Sequence, residues 1–260
     1  MAGSEPNDDT ASHSGGELDD VERVLVAGAS GDTGTELLSV LRPTDLTVRA
    51  TTTSYANVDD LEQLGADEIV VADFFEPRDA IVAVEDCDVV FCTLGTSPSY
   101  RHTVGGKLID RTGVVNLVTA GLGQHVSHFV HQSAIGVGSS KSGLPLPARL
   151  LIRGSLRAKR DAEAALGRSG LSYTIVRPGK LTTDPPRGDL VVGEGGDSVS
   201  GSVPRADVAR LMAAAPFTPE ARNRTFEVVS REGLSGAPTQ LVDVDWAFDC
   251  IEADRERMRL

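Results

Sequence analysis

From Arg23 onward the chain alternates short apolar runs with segments of helical period. Val24-Leu25-Val26-Ala27 predicts a first strand, Thr35–Leu41 a helix and Leu46–Ala50 a second strand, with the polar break Arg42-Pro43-Thr44-Asp45 between the last two. Asn57–Leu64 carries Val58, Leu61 and Leu64 on one helical face. Glu68–Ala72 and Asp88–Cys92 predict the third and fourth strands, separated by a helix over Pro77–Val84. Lys107–Leu122 has helical spacing interrupted by Gly113. It leads to a strand over His128–Gln132, a Gly-, Ser- and Pro-rich loop over Gly136–Pro147, and a long helix over Arg149–Arg168. Ser172–Val176 predicts a strand that turns at Arg177-Pro178-Gly179. The alternation then loosens: strands over Leu190–Val192 and Thr225–Val229 flank a helix over Arg205–Ala215, and a closing helix over Val244–Arg257 centres on Trp246, Phe248 and Ile251.

The third and fourth strand segments carry continuous apolar runs, Ile69-Val70-Val71-Ala72 and Val89-Val90-Phe91-Cys92, which suit strands covered on both faces. Six or more strands alternating with helices predict an α/β fold. We expect a doubly wound, mostly parallel Rossmann-type sheet with helices on both faces and a small C-terminal extension on the substrate side. In this architecture ligands bind outside the C-terminal ends of the strands, so the residues there carry the functional argument.

The first strand runs into Gly28-Ala-Ser30-Gly31-Asp32-Thr33-Gly34 and then a helix. Three glycines at this spacing suit a dinucleotide site: Gly28 for the sharp turn, Gly31 for close approach of a pyrophosphate, Gly34 for tight helix packing. The helix N-terminus adds free N–H groups and a positive dipole end. Asp73, with Phe74 beside it, follows the third strand and either accepts the adenine amino group or caps a turn. After the second strand, Arg49-Ala50-Thr51-Thr52-Thr53-Ser54 holds no acid to bind a ribose 2′-hydroxyl, so NADP is the expected cofactor, with NAD possible. Arg49 and Thr51 are the candidates for a 2′-phosphate, unless Arg49 points elsewhere from mid-strand. Leu94 and Gly95 follow the fourth strand, and Thr96, Ser97, Tyr100 and His102 form the expected substrate wall, with Ser133 opposite.

Composition narrows the partners. A net charge of −13 disfavours nucleic-acid backbones and anionic membranes, and no apolar run approaches membrane-spanning length. A small-molecule substrate is the expectation, with the oligomeric state left open. Four lysines stand against twenty-one arginines. With the acidic excess, this fits a high-salt cytoplasm, although a GC-rich genome and an acidic tail give similar counts. Cys87, Cys92 and Cys250 form no CxxC pair and read as thiols of a reducing, cytoplasmic compartment. Residues 1–22 read as a disordered acidic leader and residues 23–260 as one domain. His128 and His131 fall on opposite faces of their strand, so no metal site is expected.

The segments Val26–Gly34, Val71-Ala72-Asp73, Phe129–Val137, Ala158–Glu163, Ser172–Gly179 and Arg205–Ala209 together resemble the atypical short-chain dehydrogenase/reductases. The similarity is to the NAD(P)H-binding branch near NmrA-like proteins and biliverdin/flavin reductases, and it covers about Arg23 to Ser230. The resemblance implies NAD(P) at the glycine turn, Asp73 on the adenine, Lys159 near the nicotinamide ribose, and Pro178 and Gly179 against the nicotinamide. It also implies a substrate-orienting hydroxyl at Ser133. One position departs from the family. Where short-chain dehydrogenases carry Tyr-x-x-x-Lys, this chain has Ser155-Leu-Arg-Ala-Lys159, and an unactivated serine is a far weaker acid than a phenol. Ser155 is therefore a poor proton donor. Direct hydride transfer to a flavin, quinone or similar acceptor is the leading expectation, with Ser133, Ser155 and Lys159 as candidate catalytic residues. A non-catalytic redox sensor or scaffold is the alternative, and a sugar epimerase ranks below both.

Overall fold

The structure, a computed structural model, describes residues 21–95, 108–137 and 146–252. Eight strands form one sheet in the order β3-β2-β1-β4-β5-β6-β10-β8: β1 (Arg23–Ala27), β2 (Thr47–Thr52), β3 (Glu68–Val71), β4 (Val89–Cys92), β5 (His128–Gln132), β6 (Tyr173–Pro178), β8 (Leu190–Glu194) and β10 (Arg224–Ser230). Only β8 runs antiparallel, against β10. Two short strands, β7 (Lys180–Thr182) and β9 (Ser202–Pro204), pair separately in parallel. The direction of strand growth reverses between β1 and β4, the switch point at which doubly wound sheets open a ligand crevice.

Alternate residues of β1 explain the two layers. Val24 and Val26 enter a core under α1 (Asp32–Leu41), α2 (Val58–Gln63) and α6 (Arg205–Ala214). Leu25 and Ala27 enter the opposite core under α3 (Pro77–Val84), α4 (Ile109–Gly123) and α5 (Leu146–Ser169). A third small cluster of Val191, Val199, Val229, Ile135 and Leu234 ties the loop after β5 to the C-terminal extension.

Several boundaries differ from expectation for local reasons. α1 starts at Asp32, three residues before Thr35, because Gly31 is the extended residue that caps it and its carbonyl accepts the Thr35 N–H at 2.9 Å. β6 runs through Arg177 and Pro178 instead of turning there. The Pro178 carbonyl accepts the Ile135 N–H at 3.0 Å, and Pro178 pairs with Val228 of β10. The helix expected over Val244–Arg257 is reduced, among the described residues, to α7 (Asp249–Glu252). Upstream of it the main chain is held in an irregular path: the Thr218 hydroxyl accepts the Ala247 N–H at 3.0 Å, Trp246 packs edge-on to Phe226, and the Arg210 guanidinium covers Phe248. No described helix is long and apolar enough to cross a membrane. Residues 1–20 of the expected leader lie outside the described residues.

Candidate functional site

The glycine turn is built from backbone constraints. Gly28 has φ of +88°, a conformation that costs any residue with a Cβ. Its N–H donates to Thr51 Oγ1 at 3.2 Å, and Thr93 Oγ1 donates to the Ala27 and Gly28 carbonyls at 3.0 and 3.2 Å. Thus β2 and β4 both fix the turn from their C-terminal ends. A Cβ on Gly34 would lie 2.3 Å from the Gly28 carbonyl oxygen and 2.7 Å from Ala29 Cα, so only glycine lets α1 sit against the turn. At Gly31 the same Cβ meets only the Gly28 oxygen at 3.3 Å. Gly31 leaves the outer side of the turn bare, beside the free N–H groups that begin α1. Thr33 is buried, whereas Ser30 and Asp32 are exposed. Beside the turn a cleft of about 490 Å³ separates α1 from α2, lined by Ser30, Thr35, Asn57, Asp60, Leu61 and Leu64 among others.

At the ends of β4 and β5 a second group converges. Lys159 Nζ lies 3.2 Å from Asp110 Oδ1 and donates to the Gln132 carbonyl at 3.4 Å. The Ser155 hydroxyl donates to the same Asp110 oxygen at 3.1 Å. Ser155 and Lys159, one turn apart on α5, share the fully buried carboxylate at the start of α4. Gly95 faces this group: a Cβ there would stand 3.8 Å from Lys159 Nζ, in ordinary contact. His131 lies on the same side, fully buried, against the Cys92 main chain without a well-formed hydrogen bond. Burial, aided by the Lys159 charge, lowers its pKa to about 3, so it stays neutral. Burial likewise pushes the Cys92 thiol up to about 12.

The residue chemistry here fits a dinucleotide. Among the described residues, Ser133 Oγ and Gln132 Oε1 are buried without a hydrogen-bond partner, a costly state that a polar ligand at the end of β5 would relieve. The bare Gly31 edge offers donors for phosphate, and Lys159 lies at the ends of β4 and β5.

Other expected site residues have different surroundings. The Arg49 guanidinium donates to Glu68 at 2.6 Å and to the Ala83 and Glu85 carbonyls at 3.1 and 2.6 Å. It is held beside α3 on the same face of β2 as Thr51 but two residues nearer the strand's N-terminal end, away from the turn. Asp73 accepts the Phe75 N–H at 3.0 Å as a turn cap while its side chain stays exposed. Phe74 is buried in the α3/α4 core, and its carbonyl accepts Asn116 Nδ2 at 2.8 Å. Leu94 packs against the glycine turn. Pro178 is buried in β6, and Gly179 is needed where it lies: a Cβ would approach the Gly201 carbonyl to 2.4 Å. Thr96, Ser97, Tyr100 and His102 fall outside the described residues.

His128 turns to the opposite face from His131, its ring nitrogens 3.0 and 2.9 Å from the Ser172 and Thr174 hydroxyls, and burial lowers its pKa to about 4. Among the described residues no group of three or more His, Cys, Asp or Glu is arranged to hold a metal ion.

Asp110 and Thr93 are the residues that sequence reasoning missed. Asp110 reads as an ordinary acid in a helix's first turn. The available signal was the i, i+4 spacing of Ser155 and Lys159, which puts both on one helix face, where a single residue of a packed neighbour can reach both.

Residues 28–219 match the model of a family described as NAD(P)H-binding. An uncharacterised chloroplast protein of Arabidopsis thaliana is 34% identical over 223 residues, 81% of this chain and 77% of that protein. The uncharacterised sugar epimerase YhfK of Bacillus subtilis is 27% identical, across 79% of this chain and 93% of its own. Among solved structures, a Bacillus halodurans protein provisionally described as an NAD-dependent epimerase/dehydratase superposes with a TM-score of 0.71 at 30% identity, covering 84% of this chain and 96% of that one. The anaerobilin reductase ChuY of Escherichia coli O157:H7 superposes with a TM-score of 0.71 at 21% identity, covering 83% of this chain and all of that one, a likeness of fold. The glycine turn, the switch-point crevice and these relatives agree: the chain belongs to the NAD(P)H-binding family of Rossmann-type proteins.

Proposed function

We propose that this protein is an NAD(P)H-dependent reductase that passes hydride directly to a small planar, electron-poor acceptor such as a flavin or quinone. The observation that carries the reading is the Ser155 hydroxyl donating to Asp110 at 3.1 Å. The position that bears a phenol in tyrosine-type dehydrogenases is here a serine whose proton is already committed to a buried carboxylate. His131 offers no alternative, being sealed in the core and neutral. A site with these groups supports reactions that need orientation more than a strong general acid, which is the case when the acceptor is itself electron-poor.

The chain's own residues divide the work. Gly28, Gly31 and the first N–H groups of α1 would bind the pyrophosphate, and Lys159, steadied by Asp110 and the Gln132 carbonyl, would hold the nicotinamide ribose. Bound NAD(P)H supplies the hydride. Ser133 would orient the acceptor with its unpartnered hydroxyl. NADP is favoured by the absence of an acid at the end of β2. With Arg49 engaged by Glu68, the 2′-phosphate would rest on hydroxyl and amide groups such as Ser30 and Asn57, so NAD is a second candidate.

Stopped-flow oxidation of NADPH and NADH against panels of flavins, quinones, alcohols and nucleotide sugars tests the reading. Oxidation with a flavin or quinone and none with alcohols or sugars is expected. Tight cofactor binding with no oxidation by any planar acceptor would overturn it in favour of a cofactor-sensing role.

A further inference from the structure

Asp32 is an awkward residue for a pyrophosphate cradle. It is the first residue of α1, directly after Gly31, so its carboxylate stands at the rim where a doubly charged group is expected. Its position in the first turn suits the helix dipole when no anion is bound, and opposes an anion that binds there. The structure gives it one remedy. Arg205 Nη2 lies 2.9 Å from Asp32 Oδ2. Arg205 comes from far along the chain: β9 ends at Pro204, which caps α6, and Arg205 opens that helix where α6 packs beside α1. The Arg205 side chain is mostly buried, at 20% exposure, while that of Asp32 is 77% exposed. The Arg205 side chain is the more enclosed of the two partners and the carboxylate the more exposed.

We infer that Arg205 is a positioning residue for the cofactor: it cancels the Asp32 charge at the rim of the glycine turn, so that the turn accepts a pyrophosphate despite its acidic residue. The inference rests on the family's dinucleotide binding at this turn and goes beyond it. It also gives a role to the Arg205–Ala209 segment, which is far in sequence from the cradle it serves.

The test is a double-mutant cycle read by calorimetric titration of NADPH and of ADP-ribose, which carries the pyrophosphate without a nicotinamide. R205Q is expected to weaken both ligands about fivefold in low salt, equivalent to about 1 kcal/mol. D32N alone is expected to bind as tightly as the wild type or tighter. The D32N/R205Q double variant is expected to recover wild-type affinity, because no carboxylate then needs cancelling. The R205Q loss should shrink in 1 M salt, where the screening length falls to about 3 Å. Unfolding midpoints of all three variants separate a folding defect from a binding one. Unchanged affinity in R205Q overturns the inference, as does a loss that D32N fails to rescue. If the wild type binds neither ligand, the site assignment fails instead, and the two failures are distinct.

Discussion

Replacing Gly34 by Ala separates the structural role of the glycine turn from its binding role. A Cβ at this position would stand 2.3 Å from the Gly28 carbonyl oxygen, 2.7 Å from Ala29 Cα and 2.8 Å from the Ala29 oxygen. All three are main-chain atoms, so no rotamer change relieves the overlap. Alanine inside a helix gains about 1 kcal/mol over glycine from propensity. Overpacking of this kind costs about 1–3 kcal/mol or more, and here the obstacle is backbone held on both sides by Thr51 and Thr93. With a rigid obstacle the cost lies at the upper end of that range, so after the propensity gain G34A should be destabilised by about 2 kcal/mol in denaturant unfolding. G31A provides the contrast. Gly31 has φ of −85° and ψ of 163°, open to any residue, and its Cβ would meet only the Gly28 oxygen at 3.3 Å. That single contact is tight, so G31A should lose some stability, at most about 1 kcal/mol and less than G34A. It should lose at least about tenfold in dinucleotide affinity, because the methyl occupies the side that a phosphate must approach. Equal stability of G34A and wild type, or full affinity in G31A, would refute the argument.

Three further outcomes follow from the same structure. D110A should lose about 3–5 kcal/mol of stability, since it strands the largely buried Lys159 ammonium without its carboxylate, and chemical denaturation will read the loss. His128 and His131 are neutral in the fold down to about pH 4 and 3 but charge near pH 6.5 when unfolded, so the unfolded state binds more protons across that window. Stability is then complete above pH 6.5 and falls by up to about 1.4 kcal/mol per pH unit for each histidine as pH drops, and H128Q should flatten the upper part of that slope. With a net charge of −13, the melting temperature should rise from low to molar potassium chloride, and a flat or falling profile would count against adaptation to high salt.

The sheet was legible because β1 and β4 are built on continuous apolar runs, and α3 and β5 fall on their expected residues. β7 and β9 were not, since three residues such as Lys180-Leu181-Thr182 carry no readable period. The closing helix was overestimated for a different reason: helical spacing of Trp246, Phe248 and Ile251 fits an irregular segment equally well when Thr218 and Glu220 supply its hydrogen bonds. At the site, the glycines were readable because their demands are local. Arg49 illustrates the opposite case. Its type suggested a phosphate ligand, but strand register with Glu68 and two helix-end carbonyls decide where its charge goes. Asp110 and Arg205 act through partners 45 or more residues away, and only the assembled fold brings those pairs together.

Every role assigned to the site depends on a dinucleotide held by the turn from Gly28 to Gly34. Calorimetric titration of the intact protein with NADPH, NADP, NADH and NAD, in low and molar salt, tests it most directly. One molecule is expected to bind per chain for at least one of the four, with a loss of at least about tenfold in affinity in G31A. No heat of binding from any dinucleotide in either salt would contradict it.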